Sequence, residues 1–383
     1  ATRYQKRVTD LKNLEASNRL FIKLVEELHR RGMKIILDGV FNHCGSFNKW
    51  MDRERVYEGK EGYEPGAYIT SDSPYRSYFH FLRDQEEEWP YNPYYDGWWG
   101  HDTLPKLNYE GSVKLENYIL YIGRKWVSPP YNADGWRLDV ANEVDREFWR
   151  AFRRTARAID PDAVMIGEIW ENAESWLRGD MFDSAMNYDF RKHCRDFFAL
   201  GAIDAAQFSA RIAQMLHRYP TGIMQGQLNL LDSHDVSRFL SLCGNDLRRL
   251  RLAEVFLFTM PGTPCVFYGD ELGVSGTNEE EYRGPMPWND PPCDMRDFFQ
   301  RLASLRQEDD ALALGSWQTL CAEGHLYIYE RKLGNRTVTV ALNAGSQPAH
   351  LSFHLPDDGL RLSHGLNQWQ LEPFGYAVWR KQG

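Results

Sequence analysis

Residues 131–139 read YNADGWRLD, a short apolar run that ends on an acid, Asp139. A helical pattern, VDREFWRAFRRTARAI, follows over 144–159, and a second apolar run, AVMIGEIW (163–170), carries Glu168 near its end. Short apolar run, amphipathic helix, short apolar run: that order predicts a β-α-β unit with parallel strands. The alternation continues outward. Upstream, NRLFIKLVEELHRRG (18–32) has apolar residues at helical spacing and closes on Gly32, and MKIILD (33–38) is a buried strand. Downstream, MFDSAMNYDF (181–190) is a strand, with helical segments to about His217. GQLNLLDSHD (226–235) is a strand before a helix over 245–259, TPCVFYGDE (263–271) a strand, and RDFFQRLASLRQ (296–307) a helix.

Six strands in this alternation fit either a doubly wound sheet or a (β/α)₈ barrel. The acids favour the barrel. Asp38, Asp139, Glu168 and Asp235 all fall at the C-terminal ends of their predicted strands, and a barrel gathers such ends around one mouth. The expected fold is therefore α/β, a (β/α)₈ TIM barrel over 1–42 and 113–312. Residues 43–112 hold Gly, Pro, Tyr and Trp with little regular pattern and are expected to form an inserted domain. The short alternating runs HLYIYERK, RTVTVALN, AHLSFHL and YAVWR predict a C-terminal antiparallel β domain over 317–383. Six strands cannot close the barrel with its usual tilt and shear, so its first two strands are expected to lie outside this sequence.

The 383 residues carry 45 basic and 54 acidic side chains, a formal charge of −9. That disfavours nucleic acid or an anionic membrane as main partner. No apolar run is long enough to span a bilayer. The 14% aromatic content suits stacking against sugar C–H faces as well as it suits an aromatic core. Cys44, Cys194, Cys243, Cys265, Cys293 and Cys321 form no C-x-x-C pair, so free thiols in a reducing compartment are expected. The expected location is the cytoplasm, or outside the cell if a leader precedes Ala1.

Glycosidic cleavage needs two carboxyl groups, one protonated to assist the leaving oxygen and one ionised to attack or to activate water. Asp139 and Glu168 end neighbouring strands. Arg137, two residues before Asp139, shares its face of the strand, and a fixed cation there favours an ionised Asp139. The charges of Asp139 and Asp235 are expected to favour a protonated Glu168. Any one of these acids alone would be read as a solvated strand end or a helix cap. Four at four strand ends, with His43, Arg137 and His234 nearby in sequence, point to a site.

DGVFNH (38–43), GWRLDV (135–140), GEIW (167–170) and DSHD (232–235) together resemble the four signature segments of the α-amylase superfamily, in order. LPKLN (104–108) and VANEV (140–144) resemble its neopullulanase, cyclomaltodextrinase and maltogenic amylase group. YGDE (268–271) resembles the end of the eighth barrel strand. The resemblance runs from about residue 20 to 310. It implies a retaining glycoside hydrolase acting on α-1,4 and also α-1,6 bonds in cyclodextrins, pullulan or maltodextrins and starch, with transglycosylation. Asp139 is then the nucleophile, Glu168 the acid/base and Asp235 the third acid, gripping sugar hydroxyls. His43 and His234 bond the sugar at the reacting position, and Arg137 orients Asp139.

Glu143 has two readings: charge compensation at a helix N-terminus, or the acceptor side of the site, which is the role the resemblance implies. Trp170 stacks on sugar or packs the barrel, and Trp136 is expected to pack. WPYNPYYDGWWGHD (89–102) is either core of the inserted domain or a substrate platform, with core the expected reading, and His29 and His80 are expected to be ordinary residues. Asn42 matches a calcium-holding position of many α-amylases. That calcium is often absent in the neopullulanase-like group, so Asn42 is read as structural and no cofactor is expected to be required. The partner implied is an α-glucan oligosaccharide, with a homo-oligomer left open. Two alternatives stay open: a catalytically inactive amylase-like scaffold, and a glucosyltransferase of the same superfamily.

Overall fold

The computed structural model describes residues 7–82, 95–289, 294–351 and 359–381. The chain divides into two compact units, 1–169 with 175–183, and 170–174 with 184–383.

The first unit begins with helix α1 (Leu11–Arg30). Asp10 caps it by accepting from the Lys12 amide at 2.9 Å, and Gly32 turns the chain out with φ +71°, the conformation a residue without Cβ adopts freely. Strand β1 (Ile36–Gly39) follows, then a long irregular stretch with 3₁₀ turns and isolated bridges. Helix α2 (Val113–Val127), β2 (Gly135–Leu138), α3 (Arg146–Arg157) and β3 (Val164–Gly167) complete the unit. The strands are parallel, in the order β1-β2-β3, with Asp38 opposite Arg137 and Leu138 opposite Gly167.

A period of two sends Trp136 and Leu138 to one face of β2 and Arg137 and Asp139 to the other. Trp136 packs among Phe41 and Phe152 and donates its indole N–H to the Gly123 carbonyl at 3.0 Å. It is a packing residue, as expected. Gly123 is where α2 meets α3: a Cβ there would lie 2.5 Å from the Phe152 ring. His29 Nε2 is 2.9 Å from Asp134 Oδ2, which ties the end of α1 to the start of β2 and gives that histidine a structural use.

The second unit holds three further parallel strands, β4 (Ser184–Asn187), β5 (Leu228–Leu230) and β6 (Thr263–Cys265), in that order. Helices α4 (Tyr188–Cys194), α5 (Ala205–His217), α6 (Leu247–Thr259) and α7 (Asp294–Glu308) lie between and after them. A meander, β7 (Ser316–Glu323), β8 (Leu326–Leu333) and β9 (Arg336–Asn343), follows. Then come a two-residue β10 (Ala349–His350), β11 (Leu360–Asn367) and β12 (Gln370–Lys381), all antiparallel. One aromatic core joins α6 to this sheet through Phe256, Tyr327 and Tyr329. The buried Arg331 donates to the carbonyls of Thr259, Leu312 and Gly315 at 2.6–2.8 Å. Its charge is thus shared among three carbonyl oxygens.

All six strands overlap the expected runs and α3, α6 and α7 match them closely, but β5 and β6 end at Leu230 and Cys265, short of the expected 235 and 271, and α1 starts at Leu11 rather than at 18. Helix α2 and strands β7 and β11 go beyond that reading. Most of AHLSFHL lies outside the described residues, as do 83–94 and Cys293.

Candidate active site

In the first unit the strand ladder continues one step past the strand ends. The Asp139 amide donates to the Gly39 carbonyl at 3.1 Å and the Glu168 amide to the Leu138 carbonyl at 2.9 Å. The two acids are thus brought to the same level on adjacent parallel strands. Arg137 gathers the carboxyls. Its Nη1 is 2.8 Å from both Asp38 Oδ1 and Asp139 Oδ1, and its Nη2 is 2.8 Å from Glu168 Oε2. Glu168 is 3% exposed and also accepts from the Val140 amide at 2.9 Å. Val140 has φ +44°, an outlier for a β-branched residue that costs of order 1–3 kcal/mol. The chain bends sharply right after Asp139, and the bend aims an amide at Glu168.

Burial pushes the Asp139 carboxyl up to about 6, with Glu168 and Asp38 adding to the rise and Arg137 opposing it. The same carboxylates raise Arg137, against burial. The sequence reading placed the environmental push on Glu168. The structure shows one on Asp139, because three acids share one guanidinium in a partly dry site.

His43 is buried, stacked flat on Trp98 at 4.7 Å between ring centroids, and burial lowers its pKa. Asn42 lies beside it, Nδ2 to His43 Nδ1 at 3.3 Å. The Asn42 Oδ1 is buried without a hydrogen-bond partner among the described residues. No cluster of three His, Cys, Asp or Glu side chains suited to a metal occurs among those residues. One amide oxygen falls short of the six to eight oxygens calcium takes, so the described side chains around Asn42 do not fit calcium. Glu143 lies in a 3₁₀ turn (Ala141–Glu143). It accepts from Trp99 Nε1 at 2.8 Å and lies 4.0 Å from Lys106 Nζ.

The expectation that 89–102 is core meets a mixed outcome. Residues 89–94 lie outside the described residues and Tyr95 is buried, but Trp99 is 76% exposed.

In the second unit Asp235 Oδ1 accepts from Arg283 Nη2 at 2.8 Å and Oδ2 lies 3.2 Å from His234 Nε2. Arg283 has no motif to announce it, and the sequence reading missed it. A cavity of about 410 Å³ is lined by Asp235, Arg191, Thr277, Asn278 and Tyr282 among others. Trp170 stacks flat on Tyr188 with centroids 3.9 Å apart and is 47% exposed. Both line a second cavity of about 470 Å³.

Asp232 of DSHD and Asp270 of YGDE are structural. Asp232 Oδ1 accepts from the Phe239 amide at 2.6 Å, and Asp270 Oδ1 from Arg238 at 3.0 Å. Burial raises the pKa of both. Glu254 on α6 is buried in the same unit, its carboxyl pushed well up by burial and by Asp232.

The family described as alpha amylase, catalytic domain, matches residues 16–320, and the chain belongs to the α-amylase family. It is 37% identical to a cyclomaltodextrinase of Geobacillus thermopakistaniensis over 88% of this chain and 55% of that protein. It is 38% identical to neopullulanase 2 of Thermoactinomyces vulgaris over 88% and 56%. The chain thus spans about half the length of the curated relatives it matches. Among solved structures, the cyclic α-maltosyl-(1→6)-maltose hydrolase of Arthrobacter globiformis superposes with a TM-score of 0.82. Identity there is 29%, over 95% of this chain and 79% of that one. The fold class is the family's TIM barrel with a C-terminal antiparallel β domain, and six of the barrel strands are among the described residues.

Proposed function

We propose that this protein is a retaining glycoside hydrolase of α-glucans, cleaving α-1,4 and also α-1,6 bonds in cyclodextrins, pullulan or maltodextrins. The observation that carries this is the shared guanidinium: Arg137 holds Asp139 and Glu168 at the ends of adjacent strands. Asp139, kept in place by Arg137, attacks the anomeric carbon as a carboxylate. Glu168 gives its proton to the leaving oxygen and takes one from water in the second step. Asp235, braced by Arg283, grips sugar hydroxyls, as do His43 and His234. Trp170, backed by Tyr188, offers an aromatic face to a sugar ring.

Transfer to a sugar acceptor accompanies hydrolysis where an acceptor outcompetes water. The reaction needs no cofactor. The described cysteines are all unpaired, and no described helix is long and apolar enough to cross a membrane. The unpaired cysteines support a reducing compartment such as the cytoplasm as the site of action.

Intact acids at 139, 168 and 235 favour an enzyme over an inactive scaffold. The test is release of reducing sugar from β-cyclodextrin, pullulan and soluble starch, measured side by side with Asp139→Asn as control. Release from at least one substrate, absent in the control, is the expected result. No release from any would return the reading to a binding protein.

A further inference from the structure

The turn Gly97–Gly100 is used neither by the core nor by the acid pair, yet it is built under constraint. Trp99 has φ +49° and ψ 28°, and Gly100 next to it has φ +79°. A bulky residue with positive φ is held against its own preference, and such outliers point to a use. The turn is also closed tightly: a Cβ on Gly97 would lie 2.2 Å from the His101 carbonyl oxygen. What this geometry achieves is to present an indole that burial would otherwise draw inward.

The ring is fixed at two points. One face lies on Trp98, centroids 5.0 Å apart and planes 30° apart, and Trp98 lies in turn on His43. The indole N–H donates to Glu143 Oε1 at 2.8 Å. Glu143 stands four residues after Asp139, on the turn that leaves the acid pair. Lys106 at 4.0 Å offsets part of the Glu143 charge. A rigid ring, supported behind and open in front, with the Glu143 charge partly offset, suits a neutral ligand with a flat apolar face and a polar rim. The C–H face of a pyranose is such a surface.

We infer that Trp99 is a stacking platform for a glucosyl ring of the α-glucan, and that Glu143 is a positioning residue acting through it. This inference rests on the proposed function. It makes the Glu143 carboxylate valuable as an acceptor for the indole N–H. Its negative charge is not what the site needs.

The test is calorimetric titration of maltohexaose into Asp139→Asn and into variants made on that background. Trp99→Ala should weaken binding about tenfold, equivalent to about 1.4 kcal/mol. Glu143→Ala should weaken it to a similar degree, and the two together should lose little more than either alone, as expected for one shared device. Glu143→Gln, whose amide oxygen still accepts from the indole, should stay within about twofold of the parent. Trp99→Phe, which keeps a ring without the N–H, should fall between parent and Trp99→Ala, and thermal melts of all variants should coincide. Parental binding that Trp99→Ala leaves unchanged overturns the platform. Glu143→Gln as weak as Glu143→Ala, or additive losses, overturns the positioning role. A parent that does not bind maltohexaose at all removes the proposed function and the platform with it.

Discussion

Val140, at φ +44°, donates its amide to Glu168 Oε2 at 2.9 Å. The strained residue directly after Asp139 thus reaches across to the acid on the next strand. Arg137 spans the same pair from the strand before the bend. Backbone and guanidinium hold one carboxyl from two directions, and the pair is fixed before any sugar arrives. Such preorganisation is what electrostatic catalysis requires.

Arg137 is the group that keeps Asp139 from rising further, since its charge lowers a carboxyl that burial lifts to about 6. Attack needs the ionised form, so kcat/KM should fall as pH drops through about 6. In Arg137→Met that acid limb should move to higher pH, with a lower plateau. A pH profile of kcat/KM with an unmoved limb would show that another group governs it.

Asp139→Asn should lose at least about 10³-fold in kcat while still binding maltodextrin. Folding raises this carboxyl from its ordinary 3.8 to about 6, so the native state holds the proton more tightly than the unfolded chain. The wild type therefore loses stability as pH rises across that window and does not recover it above. The asparagine variant escapes the loss, by at most about 3 kcal/mol. Its melting temperature should exceed the wild type's near pH about 8 and converge with it near pH about 4. A variant less stable than wild type at the higher pH would contradict this.

Glu168→Gln removes the proton donor and leaves the nucleophile. Maltodextrin cleavage should drop by about 10²–10⁴-fold. α-Glucosyl fluoride, whose leaving group needs little help, should lose far less. Equal losses on both substrates would take the acid role away from Glu168.

Glu254 on α6 is buried with Oε2 unpartnered among the described residues, and its pKa is raised well above the ordinary value. The native state again binds the proton more tightly, so stability falls as pH rises above the unfolded value. Glu254→Gln should therefore melt higher than wild type, by a margin that grows from acidic to alkaline pH. A margin independent of pH would mean that the glutamate is already ionised in the folded protein.

The parts legible in the sequence were those that local pattern encodes. Short apolar runs ending at Asp38, Asp139 and Glu168 gave strands and acids together, because each strand end and its acid are adjacent in the chain. Gly32 announced the end of α1 for the same reason. What escaped depends on partners distant in sequence. Trp99 reads as core by composition, and only its bond to Glu143, 44 residues away, and its left-handed turn hold it outward. Arg283 meets Asp235 across 48 residues with no motif around it. Val140 directly follows the expected strand, and nothing local in the sequence marks its positive φ. Helix α2 was overlooked although Ser112, which caps it by accepting from the Leu115 amide at 3.3 Å, was a usable signal.

The central claim is that Asp139 attacks and Glu168 serves both steps, which makes the enzyme retaining. An NMR time course of maltodextrin hydrolysis, recorded before mutarotation, reads this directly. The α-anomer should appear first and the β-anomer only later. Initial release of the β-anomer would contradict it.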